Sequence, residues 1–297
     1  MAVIHSRFRD SGKATVDHSA CILCGRCIEI CPGKCLVMKD RLIENRVSNL
    51  GCIGCGHCMM VCPEHCISIT GRDISSADLV ELPAPDSVAS VEALEALLQT
   101  RRSVRFFKDR PLEPFLLDRI VAMAATAPMG IPPWDVGCVI INGRERVKEL
   151  AGGILKGWQG FLQTMLRPWV LKLLRPFLGS RRFDVFAHFL RPLALEYSAG
   201  VAAGEDRLFY GAPAVLLFYH SPYIESSDAM IACTYAMLAA HSMGIGTTMI
   251  GAAAPILARN RELCQRFGVP AGYIPSIALI LGYPAVEFKR TVRRRFL

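Results

Sequence analysis

Residues 21–35 read CILCGRCIEICPGKC, and residues 52–66 read CIGCGHCMMVCPEHC. Cys21, Cys24, Cys27 and Cys31 are followed by Pro32; Cys52, Cys55, Cys58 and Cys62 are followed by Pro63. The pattern C-x2-C-x2-C-x3-C-P thus occurs twice, with a period of 31 residues. Three thiols at three-residue steps converge from one tight loop, and a fourth reaches across from a proline-bounded arm. Gly25, Gly54 and Gly56 let the backbone wrap closely around a bulky inorganic group. This spacing is that of 4Fe–4S ligation. A zinc site needs four ligands in tetrahedral geometry and leaves the third and fourth cysteine of each run unexplained. A disulfide scaffold needs an oxidising compartment and a secretion signal. Residues 1–20 carry Arg, Lys, Asp and His without an apolar signal-peptide core, so a cytoplasmic location is expected.

The stretch resembles a bacterial-type 2x(4Fe–4S) ferredoxin over about residues 15–72. In that family the fourth cysteine of each run ligates the other cluster. The resemblance therefore implies Cys21, Cys24, Cys27 and Cys62 around one cluster, and Cys52, Cys55, Cys58 and Cys31 around the second. Cys35 and Cys66 are extra, each four residues after an arm cysteine. Both read as small apolar packing residues; the sharper reading is a spare ligand.

The chain has 297 residues, which predicts one to three domains. The residues after the repeat suffice for a core of their own. The net charge is +8. Between Arg144 and Arg191 there are ten Lys/Arg against three Asp/Glu, so this one segment carries almost the whole excess. Residues 229–258 lack Asp, Glu, Lys and Arg. Gly244 and Gly246 interrupt them after a helical length of about 22 Å, too short to cross about 30 Å of hydrocarbon. They read as a buried helix followed by a strand.

Residues 73–90 read as a Ser/Pro-rich linker. Ser90 reads as the N-cap of a helix carrying Leu94, Leu97 and Leu98. A second helix is expected from Pro114 to about residue 125 and a buried strand over residues 136–142. Further strands are expected at 213–219, 247–250 and 274–281. Residues 228–242 read as a central helix apolar all round, and 255–267 as one helix stopped by Gly268. Strands alternating with helices predict a layered α+β or α/β domain.

Arg101, Arg102, Ser103 and Arg105 make a candidate phosphate grip, since guanidinium groups bind phosphate through bidentate, charge-assisted hydrogen bonds. Downstream come Ala127-Pro128-Met129-Gly130, then Pro133-Trp134, then His241-Ser242-Met243-Gly244-Ile245-Gly246-Thr247-Thr248-Met249-Ile250-Gly251, then Leu281-Gly282-Tyr283-Pro284 and a basic tail. In order and spacing these resemble the nitroreductase family over about residues 92–295. The whole chain resembles the ferredoxin-fused nitroreductases of anaerobes.

That resemblance implies an α+β chain: a ferredoxin-like domain (1–72), a linker (73–90) and a three-layer α/β/α domain (91–297) with a helical basic insertion at about 145–200. It implies FMN at the interface of a homodimer, with the 228–242 helix in the dimer core. Arg101, Arg102, Ser103 and Arg105 would hold the phosphate and ribityl chain, with Arg290 and Arg294 completing the phosphate site. Pro128, Met129, Gly130 and Ile131 would line the ring, and Ile250 and Gly251 would face it. No G-x-G-x-x-G follows a strand, so no Rossmann site for NAD(P)H is expected.

Leu155, Trp158, Leu162, Met165, Trp169, Leu173 and Phe177 fall at helical steps among Lys156, Arg167, Lys172, Arg175, Arg181 and Arg182. The segment reads as a helical insertion over the flavin or against the second subunit. Peripheral membrane contact and docking of an acidic electron donor are the sharper readings. No motif for nucleic acid accompanies the charge. The expected activity is an FMN-dependent oxidoreductase fed by ferredoxin or another low-potential donor through two 4Fe–4S clusters. The expected acceptor is a small organic molecule such as a nitroaromatic or quinone. The alternative is a non-enzymatic redox carrier or sensor. No side chain is expected to act as a covalent nucleophile; Cys138, Cys233 and Cys264 read as packing residues.

Overall fold

A computed structural model describes residues 11–71, 74–130, 135–293 and 295. The chain divides into two units: residues 1–90 with 129–136, and residues 91–128 with 137–297.

The first unit is a doubled motif. Strand β1 (Lys13–Val16) precedes helix α1 (Arg26–Ile30), the hairpin β2 (Leu36–Lys39) and β3 (Leu42–Asn45), helix α2 (His57–Met60) and strand β4 (Ile67–Thr70). β1 pairs with β4 antiparallel, Lys13 opposite Thr70, and β2 pairs with β3. Asp40 and Arg41 both take positive φ at the hairpin turn, the handedness a two-residue turn needs to follow strand twist. The Asn45 side chain joins the two small sheets: it accepts from the Ala14 amide at 3.0 Å and donates to the Ala14 carbonyl at 2.6 Å. Ala14, Leu36, Ile43, Met59, Ile67 and Ile69 form the core beneath.

The 31-residue period of the sequence persists in the backbone. Leu23 and Gly54, Gly25 and Gly56, and Lys34 and His65 are three pairs at that spacing, and all six have positive φ. Each glycine of the second pair caps its helix, and the Ile28 and Met59 amides close matching turns onto it at 2.9 Å. Ser75 and Asp78 form a reciprocal capping box around one short turn.

In the second unit, helices α3 (Val91–Thr100) and α4 (Pro114–Ala124) lead to strand β5 (Val136–Asn142). Helices α5 (Arg144–Gln163), α6 (Pro168–Val185) and α7 (Arg191–Ala202) follow. Strand β6 (Ala214–His220), helix α8 (Ser226–Ser242), strand β7 (Gly246–Ile250), helices α9 (Ala254–Leu257) and α10 (Arg261–Arg266), and strand β8 (Ile274–Gly282) complete it. The sheet order is β5-β6-β8-β7, with β8 antiparallel to both β6 and β7.

Helices cover both faces of this sheet. Val215 and Leu217 of β6 join Ala278 and Ile280 of β8 in a core shared with Leu150, Ile154 and Trp158 of α5. Leu216 and Leu279 alternate with them and are fully buried on the opposite face, the side of α8. Each such side chain contributes about 1.5–3 kcal/mol by leaving water.

The expected helix over residues 255–267 is two helices. The Asn260 side chain accepts from the Leu263 amide at 3.0 Å and so caps a new start at Arg261. The apolar stripe from Leu155 to Phe177 does not form one buried face. Trp158 enters the core and donates from Nε1 to the Ala252 carbonyl at 3.0 Å. The chain then leaves the helix at Thr164, and Pro168 restarts it in a new phase. Trp169, Leu173 and Phe177 are consequently 62%, 65% and 83% exposed. Pro176 lies inside α6, and the helix breaks at Gly179, where φ is 71°. α8 is also not uniformly buried: Ala229, Ala232, Cys233, Ala236, Ala239 and Ala240 are buried, whereas Met230, Ile231 and Tyr235 remain over a third exposed. Among the described residues, no helix is long and apolar enough to cross a membrane.

Candidate functional site: two thiol cavities and an arginine groove

In the first unit the cysteines sort into two cavities. Cys21, Cys24, Cys27 and Cys62 line one, together with Cys66. Cys31, Cys52, Cys55 and Cys58 line the other, together with Cys35. Each arm cysteine therefore stands with the triplet of the opposite repeat. Among the described residues, no three such side chains converge as ligands of a single ion; the thiols stand around spaces.

Burial resists the ionisation of two of these thiols, Cys58 and Cys27. Burial pushes Cys58 up to about 12, with the neighbouring Cys52, Cys55 and Cys31 adding to it. Burial, then the charge of Cys24, raises Cys27 in the same direction. A cationic iron centre reverses that logic by binding the thiolate form. The donor set, four soft sulfurs around each space, fits an iron–sulfur cluster.

In the second unit the arginine segment is held as an extra strand along β7. Ser103 bridges to Thr247, and the Val104 amide donates to the Thr247 carbonyl at 3.0 Å. The Thr248 hydroxyl donates to the Val104 carbonyl at 2.7 Å. Gly246 makes room for this: a Cβ there would stand 2.8 Å from three Val104 side-chain atoms. Beyond it, Phe107 bridges to Pro284, and the Lys108 amide donates to the Tyr283 carbonyl. With Val104 buried, its neighbours Ser103 and Arg105 are turned outward by strand alternation.

The result is a groove of about 1020 Å³. Arg101, Arg102, Ser103 and Arg105 line it, with Leu94, Glu95 and Leu98 from α3 and Phe288, Thr291 and Arg293 from the tail. Arg102 gives one nitrogen, Nη1, to the Arg101 carbonyl. Its other, Nη2, is buried with no hydrogen-bond partner among the described residues. A buried, unpaired guanidinium nitrogen is costly unless an anion meets it.

His241 at the end of α8 belongs to this neighbourhood, which the sequence alone did not reveal. Its Nε2 lies 2.9 Å from the Thr100 hydroxyl. Burial, then the charges of Arg101 and Arg102, holds its pKa below the ordinary value. Neutral at neutral pH, it adds a polar partner without adding charge.

Among the described residues, the other expected flavin contacts do not line this groove. Arg293, not Arg290, lines it; the tail has no regular structure that would fix which cation turns inward. Arg294 and Ile131 lie outside the described residues. Pro128 and Gly130 are exposed and Met129 is half-buried, all after α4. Ile250 packs into the core, and the following Gly251 is exposed. A Cβ at Gly251 would meet only the Ile277 Cδ1 atom, at 4.0 Å, so the backbone there is open to a flat group. Burial pushes the Cys138 and Cys233 thiols up, the latter to about 12.

Comparison with known proteins places both units. Residues 13–76 match the 4Fe-4S dicluster domain, so the chain carries two 4Fe–4S clusters. Residues 98–283, more than half of the sequence, match the nitroreductase family. The chain belongs to the nitroreductase family, with a ferredoxin-type domain preceding the family's α/β/α domain. It is 27% identical over 191 residues to the FMN reductase (NAD(P)H) of Bacillus subtilis strain 168, covering 63% of this chain and 64% of that one. The chain thus spans less than two thirds of that relative's length. A nitroreductase from Desulfitobacterium hafniense, solved with bound FMN, aligns with a TM-score of 0.50 at 24% identity, over 67% of this chain and 93% of that one. One from Bacteroides fragilis, also with FMN, aligns at 0.51 and 19% identity, over 67% and 94%. These two likenesses show the fold.

Proposed function

We propose that this chain is an FMN-dependent reductase in which two 4Fe–4S clusters relay electrons from a low-potential donor, ferredoxin or a similar protein, to FMN. The acceptor is a small organic molecule such as a nitroaromatic or a quinone. The observation that carries the flavin part is the buried Nη2 of Arg102, unpartnered among the described residues, on a residue that lines the groove with three further arginines. Such a cradle suits the FMN phosphate, which takes charge-assisted hydrogen bonds from guanidinium groups.

In this reading Arg101, Arg102, Ser103 and Arg105 hold the phosphate, and Arg293 supplies the tail's cation. The Thr248 hydroxyl holds the arginine strand in place. The open backbone at Gly251 admits the flat ring. Cys21, Cys24, Cys27 and Cys62 hold one cluster; Cys31, Cys52, Cys55 and Cys58 hold the other. Bound FMN supplies the exchange between one-electron and two-electron steps, and the protein supplies position and potential. Met230, Ile231 and Tyr235, exposed on α8, form the apolar face through which two copies pair.

Anaerobic assay with dithionite or reduced ferredoxin and a nitroaromatic or quinone tests this reading. Steady consumption of the acceptor supports it. A flavin that is reduced but not reoxidised by any such acceptor makes the chain a carrier instead.

A further inference from the structure

Each thiol cavity contains five cysteines, one more than a cluster's four irons take as ligands. The two surplus residues, Cys35 and Cys66, are equivalent in the 31-residue repeat. They are not equivalent in the structure. Cys35 is buried, and its Sγ lies 3.4 Å from the Ser48 hydroxyl, which itself accepts from the Gly51 amide. The position 31 residues after Ser48 is Leu79, which offers no hydroxyl. Cys66 instead places its Sγ 3.5 Å from the Sγ of Cys62.

Hydrogen bonds to ligand sulfurs are among the factors that set the potential of an iron–sulfur centre. A ligating Cys62 is a thiolate and can only accept. Cys66, without an iron of its own, keeps its proton and is the donor of that contact. Withdrawing electron density from a ligand sulfur favours the reduced, more negative state.

We propose that Cys66 is a positioning residue whose thiol donates a hydrogen bond to the Cys62 ligand sulfur, raising the potential of that cluster above the potential of its pseudo-symmetric partner. The sequence repeat is symmetric, and the side-chain partners of its two surplus cysteines break the symmetry. Electrons entering this unit then rest preferentially on the cluster held by Cys21, Cys24, Cys27 and Cys62. At the second cluster the Cys35 amide donates to the Cys31 sulfur at 3.4 Å, and among the described residues the Cys35 thiol is engaged with Ser48 instead. This inference rests on the assignment of Cys62 as a ligand.

The test is an anaerobic dithionite titration of the holoprotein followed by electron paramagnetic resonance, with iron content measured alongside. In wild type the two clusters are expected to titrate at separate midpoints. In Cys66→Ala the higher midpoint moves to a more negative potential and the separation narrows, at unchanged iron content. Cys66→Ser keeps an O–H donor and restores part of the shift. Cys35→Ala leaves the higher midpoint where it is. Unchanged midpoints in Cys66→Ala overturn the proposal, as does loss of iron from that variant, which makes Cys66 a ligand. A Cys62→Ala/Cys66→Ala double variant tests the ligand assignment separately: if it retains full iron, that assignment has failed.

Discussion

The Thr248 hydroxyl donates to the Val104 carbonyl at 2.7 Å across 144 residues of sequence. Together with the Val104 amide's bond to the Thr247 carbonyl, it ties the arginine segment to β7, an edge strand of the second unit's sheet. Thr248→Val keeps the shape and deletes the donor. Burial of both partners makes the expected loss about 1–3 kcal/mol, read as a shifted denaturation midpoint. Gly246→Ala is expected to weaken the same contact by pushing Val104 away, since its Cβ has no room. Both variants should also bind FMN more weakly, because they displace the flanking arginines rather than remove them.

Arg102 provides a sharper test of the groove. If its unpaired Nη2 meets a phosphate, Arg102→Ala removes a charge-assisted hydrogen bond of about 1.5–3 kcal/mol. FMN affinity should fall roughly ten- to hundredfold. Riboflavin, which lacks the phosphate, should bind wild type and variant alike. Flavin fluorescence titrations with both ligands check this; equal losses for the two would place Arg102 away from the phosphate.

Glu113 fixes the turn before α4 to the end of β8. It accepts from the Tyr283 hydroxyl at 2.6 Å and pairs with Arg110 at 2.7 Å, while the Arg110 guanidinium stacks 4.1 Å from the Tyr283 ring. The Tyr283 hydrogen bond, then Arg110, brings its pKa down to about 2. A depressed carboxylate contributes stability above its unfolded pKa of about 4.3 and loses it as pH falls toward the folded value. Glu113→Gln should therefore lower the melting temperature at neutral pH and flatten its decline between pH 5 and pH 2, values set by about those two pKa limits. Melting curves across that range check the sign.

Iron removal should act on one unit. Val16 of β1 and Ile67 of β4 line one cluster cavity and Ile69 of β4 lines the other, and the core there is one small set of side chains. Without iron, buried thiols lose the group that organises them. Amide exchange after anaerobic chelation should show lost protection at Lys13–Val16 and Ile67–Thr70, with β6 and β8 still protected. Uniform loss across both units would contradict this.

The cysteine repeat is legible in the sequence because an inorganic cluster dictates ligand spacing. The positive φ values at Gly25 and Gly56 follow the same dictate. The helices and strands of the second unit are legible wherever periodicity and a cap agree, as at Pro114. Periodicity failed between Leu155 and Phe177 because it continues through a point where the real helix stops and restarts at Pro168. It failed again at Asn260, whose side chain starts a new helix that composition does not announce. His241 was invisible as a site residue because its partner, Thr100, is 141 residues away. The choice between Arg290 and Arg293 depends on an irregular tail, where spacing carries no geometry. Cys35 and Cys66 look identical in sequence, and only their tertiary partners, Ser48 and Cys62, separate them.

The central claim, that electrons pass from the clusters to a flavin and on to an organic acceptor, is tested most directly by anaerobic rapid mixing. Reduced ferredoxin is mixed with the oxidised holoprotein, cluster and flavin absorbance are followed together, and a nitroaromatic is then added. The account predicts cluster reduction first, flavin bleaching after it, and return of the oxidised flavin spectrum once the acceptor is present. Clusters that stay reduced beside a flavin that stays oxidised would contradict it.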